Sequence, residues 1–355
     1  MNQYRNTYMK VLLSNIEDNV KTIITTYPGY QYYFGVVKAD SYGHCDNEVV
    51  KRIIKGGCNY LAVSSLEEAL QIRKELKDIP ILCLGVILPQ FLPICIENKI
   101  TITIPSLEYG KNMPKELLPK LICHIKIDTG MNRLGLKNEK EVTELYSYLK
   151  KYGCKTEGIY THIYEASNQE KTEKQFDKFL QLTSGIPLLE IPIVHIAQSE
   201  TVASFSKLPY VNGCRLGVIM YGITSTSLPL KSTFSLISQI IEIKDLKKGE
   251  TVGYNGIYQA QNDEKIGIVA IGYADGLIRK NTGRDVFIHG KRYPIIGNIC
   301  MDMLMVKIDD TVKLYDEVEI IKDKEHLIEI SDYLETIPYE VMCNITKRVP
   351  RRYQK

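Results

Sequence analysis

The chain has 355 residues, 44% of them hydrophobic and 25% charged, with a formal net charge of +3. That length supports two domains and a large core, and the balance excludes a disordered or fibrous chain. Basic residues gather only at Lys347, Arg348, Arg351, Arg352 and Lys355, which excludes the dense basic face of a nucleic-acid binder.

The nine cysteines include no C-x-x-C pair. Several stand in apolar runs (Cys83, Cys123, Cys300), which predicts buried free thiols in a reducing compartment. The six histidines show no metal-ligand spacing, so no metal is expected. Met1 to Lys10 has no signal-peptide core, and no apolar run reaches membrane-spanning length. A cytoplasmic protein with no membrane partner is expected.

Taken in chain order, short apolar runs rich in β-formers predict strands at 34–40, 60–65, 79–85, 100–104, 121–128, 157–163, 192–198 and 211–217. Helical signals lie between most of them. Ser65-Leu66-Glu67-Glu68 is a capping-box pattern and predicts a helix to about Lys77. Asn138 with Glu141 predicts another, with Val142, Leu145 and Leu149 on one face. Between the third and fourth runs Pro89 and Pro93 interrupt the pattern. Eight strands alternating with helices predict an α/β fold, an N-terminal parallel (β/α)8 barrel over 12–225, with its chemistry at the C-terminal ends of the strands. Beyond about residue 225 strand-like runs dominate, at 236–243, 265–271, 285–288, 304–308 and 318–321, with one helical stretch at 331–336. This predicts a mostly-β C-terminal domain over 226–355, to which a strand from 1–11 could be added.

The most informative run is Phe34-Gly35-Val36-Val37-Lys38-Ala39-Asp40-Ser41-Tyr42-Gly43-His44. An apolar strand is expected to end on Lys38, and an aromatic hydroxyl and a glycine turn follow. Desolvation at the mouth of such a strand disfavours an ammonium and frees an amine able to form a Schiff base. A lone lysine there would more often reach out to water. The whole run, however, resembles the pyridoxal-phosphate lysine segment of alanine racemases, V-V-K-A-N-A-Y-G-H-G.

The resemblance extends from residue 34 to Tyr353. Lys126-Ile127-Asp128-Thr129-Gly130-Met131-Asn132-Arg133-Leu134-Gly135 resembles K-x-D-T-G-M-x-R-x-G, and Gly158-Ile159-Tyr160-Thr161-His162 resembles G-x-x-T-H. Arg215-Leu216-Gly217-Val218-Ile219-Met220-Tyr221-Gly222 is similar to R-x-G-x-x-x-Y-G. Val252-Gly253-Tyr254, Ile271-Gly272-Tyr273-Ala274-Asp275-Gly276, Gly297-Asn298-Ile299-Cys300-Met301-Asp302, Ile337-Pro338-Tyr339-Glu340 and Arg348-Val349-Pro350-Arg351 continue it in order. There are departures: Asp40 for Asn, Ser41 for Ala, Cys45 for Gly, Gln198 for the Asn of H-x-A-N-S, and Leu12 for an acidic residue.

The resemblance implies a pyridoxal 5'-phosphate enzyme, a homodimer with shared active sites, that interconverts L- and D-alanine; in a bacterium the product would feed wall peptide synthesis. Lys38 would hold the cofactor and act as base on one face of the substrate, with Tyr254 as base on the other. Among 24 tyrosines, only its place in the V-G-Y segment selects Tyr254. His162, His195 and Arg215 would form the network that favours its phenolate. Arg215 would face the pyridine nitrogen and, unable to accept a proton, keep that nitrogen unprotonated. Tyr42, Ser199, Tyr339 and the backbone N–H groups of Gly217 and Val218 would contact the phosphate; Ser199 and the glycine turn read equally well as an ordinary cap and loop. Arg133 would orient the ring oxygen or the substrate carboxylate. Lys126 reads either as Arg133's partner through a carbamate or as a plain strand lysine. Tyr273, Met301 and Asp302 would line the substrate entry. Tyr339 favours alanine over serine, because serine-preferring members often carry Asn there. The alternatives are a serine or broad-specificity racemase on the same scaffold, or a non-catalytic pyridoxal-phosphate carrier, a class that lacks the β domain.

Overall fold

The computed structural model describes residues 4–45 and 47–355. The strand expected from 1–11 lies partly outside the described residues; β1 (Tyr8–Leu12) is the first strand among them. Residues 17–41 and 47–230 cluster as one unit. Residues 4–16, Tyr42–Cys45 and Lys231–Lys355 cluster as a second.

In the first unit β2 (Tyr32–Val36), β3 (Tyr60–Val63), β4 (Ile81–Cys83), β5 (Ile100–Ile104), β6 (Ile122–Lys126), β7 (Lys155–Tyr160), β8 (Ile193–Gln198) and β9 (Gly213–Leu216) form a closed barrel. Each pairs in parallel with the next, and β9 closes on β2. The expected barrel is therefore present. Most strand positions are buried because a barrel strand is covered on both faces; every residue of β5, Ile-Thr-Ile-Thr-Ile, is buried. Phe34, Tyr60, His124, Tyr160 and His195 fill the interior, where their rings meet across the barrel. Gly158 makes room for them, since a Cβ there would lie 2.6 Å from the His124 ring.

Asn138 caps the helix Glu139–Lys151 by accepting from Lys140 N, and Val142, Leu145 and Leu149 are its buried face, as expected. The helix Leu66–Arg73 stops short of Lys77. Its last residue explains this. The buried Arg73 guanidinium takes the carbonyls of Leu76, Lys77 and Ile79, satisfying a turn in place of further helix. After β4, Pro89–Phe91 forms a 3₁₀ turn and Leu92–Glu97 a short helix.

The second unit is built on β10 (Phe234–Leu246), β11 (Thr251–Val252), β12 (Tyr258–Gln259), β13 (Glu264–Val269), β14 (Asp285–Ile288), β15 (Lys291–Ile296), β16 (Leu304–Ile308), β17 (Glu317–Ile321) and β18 (Arg351–Gln354). The main sheet runs β13-β16-β15-β14-β17-β10-β1-β18. Strand β1 lies antiparallel to β10 and parallel to β18. The sequence reading missed β15 because Pro294 interrupts it. The structure tolerates that proline because pairing with β16 begins one residue later, at Ile295. The helical stretch expected at 331–336 is corrected to two helices, Lys324–Tyr333 and Pro338–Asn344. Asp323 caps the first by accepting from His326 N, Pro338 opens the second, and Glu335 between them has φ +58°. Among the described residues no helix is long and apolar enough to cross a membrane.

Candidate active site

Strand β2 ends at Val36, so Lys38 is not its last residue as expected. Lys38 instead opens a left-handed turn: Ala39, Asp40, Ser41 and Tyr42 have φ between 51° and 54°. Each such residue costs an L-amino acid about 1–2 kcal/mol, and Asp and Asn tolerate it best. Asp40 therefore keeps what an Asn would provide there. In the turn Ser41 N–H donates to Val37 O at 3.0 Å, and Ala39 N–H donates to Glu68 Oε1 at 2.7 Å. Glu68 was expected to complete the capping box with Ser65. Only half of the box forms: Ser65 Oγ accepts from Glu68 N, while the Glu68 carboxylate takes Ala39 N–H, Ser64 N–H and the Ser64 hydroxyl.

Arg215, near the end of β9, is fully enclosed. Nη1 bonds His195 Nδ1 (2.7 Å) and His195 O (2.8 Å), and Nη2 bonds Thr161 O (2.7 Å) and Ile196 O (3.1 Å). Its guanidinium also lies over the Tyr160 ring. Burial lowers it to about 10, so it stays protonated at neutral pH. His162 follows β7. Burial, and then the charges of Arg215, Arg133, Lys126 and Lys38, push it down to about 3. His162 is thus a neutral imidazole on which four cations converge. Lys126, the last residue of β6, donates to Ile127 O at 2.6 Å. Burial, with Arg215 and Arg133 against the opposing Asp128, lowers it to about 7. The loop that presents Arg133 is shaped by Asp128, which accepts from Gly130 N and Asn132 N.

Ser199 opens the helix Ser199–Ser204, and its Oγ accepts from Gly217 N–H at 2.9 Å. The Gly217 N–H is therefore already engaged, while the serine proton is left to donate onward. Gln198 caps this helix by accepting from Glu200 N, which gives the departure from Asn a local role. Val218 begins a 3₁₀ turn, Val218–Tyr221.

In the second unit Tyr42 and Tyr339 come together, with ring centroids 6.1 Å apart. Burial, then Tyr339, pushes the Tyr42 hydroxyl up. Tyr254 is 70% exposed. It follows Gly253 (φ +71°), and Asn298 Nδ2 donates to its carbonyl. Tyr273, Met301 and Asp302 also meet: Tyr273 N–H donates to Cys300 O, Ala274 N–H to Met301 O, and Arg348 pairs with Asp302 at 2.8 Å. A Cβ on Gly272 would lie 2.3 Å from Cys300 O, so only glycine allows that approach. The buried Asp275 pins the same turn, held by Arg5 at 2.6 and 2.9 Å.

Glu68, His124, Glu157 and Arg5 carried no functional signal in the sequence, and Tyr160 and Asp275 stood there only as motif members without a role. Glu68 was visible only as a capping residue. Nothing in the spacing of His124 and Glu157 brings them together.

A family model described as "Alanine racemase, N-terminal domain" matches residues 11–225, and "Alanine racemase, C-terminal domain" matches 233–353. The chain is 37% identical to alanine racemase 1 of Bacillus subtilis, over 99% of this chain and 93% of that protein. It superposes with a TM-score of 0.92 and 32% identity on the Bacillus anthracis alanine racemase with bound L-Ala-P, covering 100% of this chain and 96% of that one. The Bartonella henselae alanine racemase, with covalently bound pyridoxal phosphate, matches at TM-score 0.89 and 25% identity, covering 98% and 99%. With both halves of the family matched in order along one polypeptide, this chain belongs to the alanine racemase family.

Proposed function

We propose that this chain is a pyridoxal-phosphate-dependent racemase that interconverts L- and D-alanine, with Lys38 and Tyr254 as its two bases. The observation that carries this reading is the convergence of Lys38, Lys126, Arg133 and Arg215 on one neutral histidine at the end of the barrel strands. The two arginines with the two lysines beside them suit an anionic ligand, and one of those lysines, Lys38, is half-buried. These residues fit a phosphate-bearing aldehyde cofactor, as in the relative from Bartonella henselae.

When bound, pyridoxal phosphate supplies the electron sink for an α-carbanion. The remaining work falls to this chain. Lys38 would hold the cofactor and would move the α-proton on one face of the substrate. Arg215 presents only donors, so it would keep a ring nitrogen of the cofactor unprotonated and the sink weaker, which would limit side reactions. Ser199, with its proton free, and the Val218 N–H would contact the phosphate. Arg133 takes a carboxylate. Burial lowers Lys126 to about 7, which favours a neutral amine, and such an amine can add carbon dioxide with loss of a proton to give a carbamate, an anion suited to Arg133.

Tyr254 serves the opposite face from a second copy of the chain. Its exposure, shared with Ile257, Tyr273, Met301 and Met303, supports a homodimer whose partner covers this apolar and aromatic surface. A cytoplasmic location fits the free cysteines. A non-catalytic carrier does not fit a chain that includes the family's C-terminal domain.

Chiral chromatography after incubation with L-alanine and, separately, L-serine tests the reading. D-alanine is expected to form faster than D-serine. Faster serine turnover would make the protein a serine racemase despite Tyr339, and no inversion of either substrate would overturn the proposal.

A further inference from the structure

A buried polar line crosses the barrel interior and reaches residues beyond those assigned above. Arg215 Nη1 lies 2.7 Å from His195 Nδ1, and His195 Nε2 lies 2.8 Å from His124 Nδ1. His124 Nε2 stands 3.5 Å from Glu157 Oε2. Tyr60 donates to that same oxygen at 2.7 Å, and the exposed Lys155 ammonium lies 3.0 Å from Oε1. By register Arg215 is level with Gln198, His195 is level with Tyr160, and Glu157 precedes Tyr160 on β7. The line therefore runs from the C-terminal end of the strands toward their N-terminal end.

Its two ends fix its direction. A guanidinium has only donors, so the ring atom facing Arg215 must accept, and His195 carries no proton on Nδ1. Its proton is then on Nε2 and is donated to His124 Nδ1. His124 in turn is protonated on Nε2, which faces Glu157 Oε2 at 3.5 Å, an electrostatic contact longer than a hydrogen bond, and has no hydrogen-bond partner among the described residues. An ionised carboxylate only accepts, so the arrangement closes. A proton on both His124 nitrogens would reverse the middle link and set two donors face to face at Arg215.

Burial keeps both rings neutral, aided by Arg215, and lowers His195 the more strongly. Burial alone would raise Glu157, but His124, Tyr60 and Lys155 outweigh it and hold the carboxyl at about 2. Packing fixes the ring planes. Phe34 and Tyr160 sandwich His195 at 4.6 and 4.5 Å, each within 14° of parallel, and the missing Cβ of Gly158 makes space for His124. Hydrogen bonds alone are left to choose the tautomers.

We infer that Glu157 is a positioning residue for Arg215, acting through the tautomers of His124 and His195. Its carboxylate favours the same direction of the line that Arg215 requires, so His195 presents a lone pair to the guanidinium. With Nη1 and Nη2 engaged inside the barrel, Nε–H is the group left to face a ligand. The catalytic consequence rests on the racemase reading; the tautomers do not.

The test is NMR of the imidazole nitrogens in full-length protein labelled with ¹⁵N-histidine, with and without pyridoxal phosphate. Wild type is expected to show His124 and His195 neutral, each protonated on Nε2. Glu157→Gln, which can donate where Glu157 only accepts, is expected to spread His124 over both tautomers. It should also lower kcat about tenfold with KM unchanged, the equivalent of about 1.4 kcal/mol of barrel-side positioning. Tyr60→Phe keeps the carboxylate and is expected to leave both tautomers in place. A wild-type His195 protonated on Nδ1 overturns the inference, and this spectrum decides even if the variant does not fold. Unchanged tautomers and kcat in a folded Glu157→Gln also overturn it, as does an equal change in Tyr60→Phe, which would make the effect one of packing. Expected tautomers in a protein that turns over no alanine would contradict the racemase reading and leave this one standing.

Discussion

The Glu68 carboxylate accepts the backbone N–H of Ala39 at 2.7 Å, so a helix side chain grips the residue that follows Lys38. The same carboxylate holds Ser64 at the end of β3. One anion thus ties the lysine's left-handed turn to the neighbouring strand. Glu68→Ala is expected to lower kcat roughly tenfold, because a charge-assisted bond is worth about 1.5–3 kcal/mol and this one is half exposed. Glu68→Gln keeps an acceptor and should retain most activity. Steady-state kinetics on the two variants checks the order.

Asp275 performs a similar task in the second unit. It is buried against Arg5, accepts from Gly272 N–H, and holds the turn that presents Tyr273. Asp275→Asn is expected to destabilise by about 2–3 kcal/mol, since it leaves a partly buried guanidinium without its counter-charge. The amino-acid KM should rise as Tyr273 loses its anchor. Urea denaturation and KM measurements test the two effects separately.

Acid should weaken the fold from about pH 6.5 downward. Burial, then neighbouring cations, lowers His162 to about 3 and His326 to about 4. Between these values and about 6.5, the unfolded chain binds more protons than the folded one. Stability therefore rises with pH across that window and is lost as pH falls through it. His326→Gln removes one such group away from the candidate site. Its denaturation midpoint should fall less steeply than wild type between about pH 6.5 and 4.

Lys126 should bind carbon dioxide. Its pKa of about 7 makes the amine largely neutral above that pH, and only the neutral amine adds carbon dioxide. With ¹³C-bicarbonate, a protein-bound carbamate signal is expected above about pH 7 that weakens on acidification. It should be absent from Lys126→Met. A signal equal in the variant would return Lys126 to a plain strand lysine.

The barrel was legible because eight apolar runs separated by helical signals have few other solutions. Lys38 and Arg215 stand out in the sequence because they sit in ordered motifs. The fine structure was less accessible. A run of ordinary residues, Ala39 to Tyr42, gives no local sign of a left-handed turn, because a tertiary bond from Ala39 N–H to Glu68 helps to hold it. β15 was hidden by Pro294, whose missing donor matters only where a partner strand needs it. His124 and Glu157 lie on different strands, and only closing the barrel brings them within 3.5 Å.

The central claim is that Lys38 and Tyr254 each serve one face of the substrate. The most direct measurement follows α-proton exchange of L- and D-alanine in deuterated water, by NMR, for wild type, Lys38→Ala and Tyr254→Phe. Wild type should exchange both enantiomers with inversion, and Lys38→Ala neither. Tyr254→Phe should still exchange one enantiomer, with the other slowed by at least about a hundredfold and inversion lost. Equal exchange of both enantiomers in Tyr254→Phe, with racemisation intact, would contradict the account.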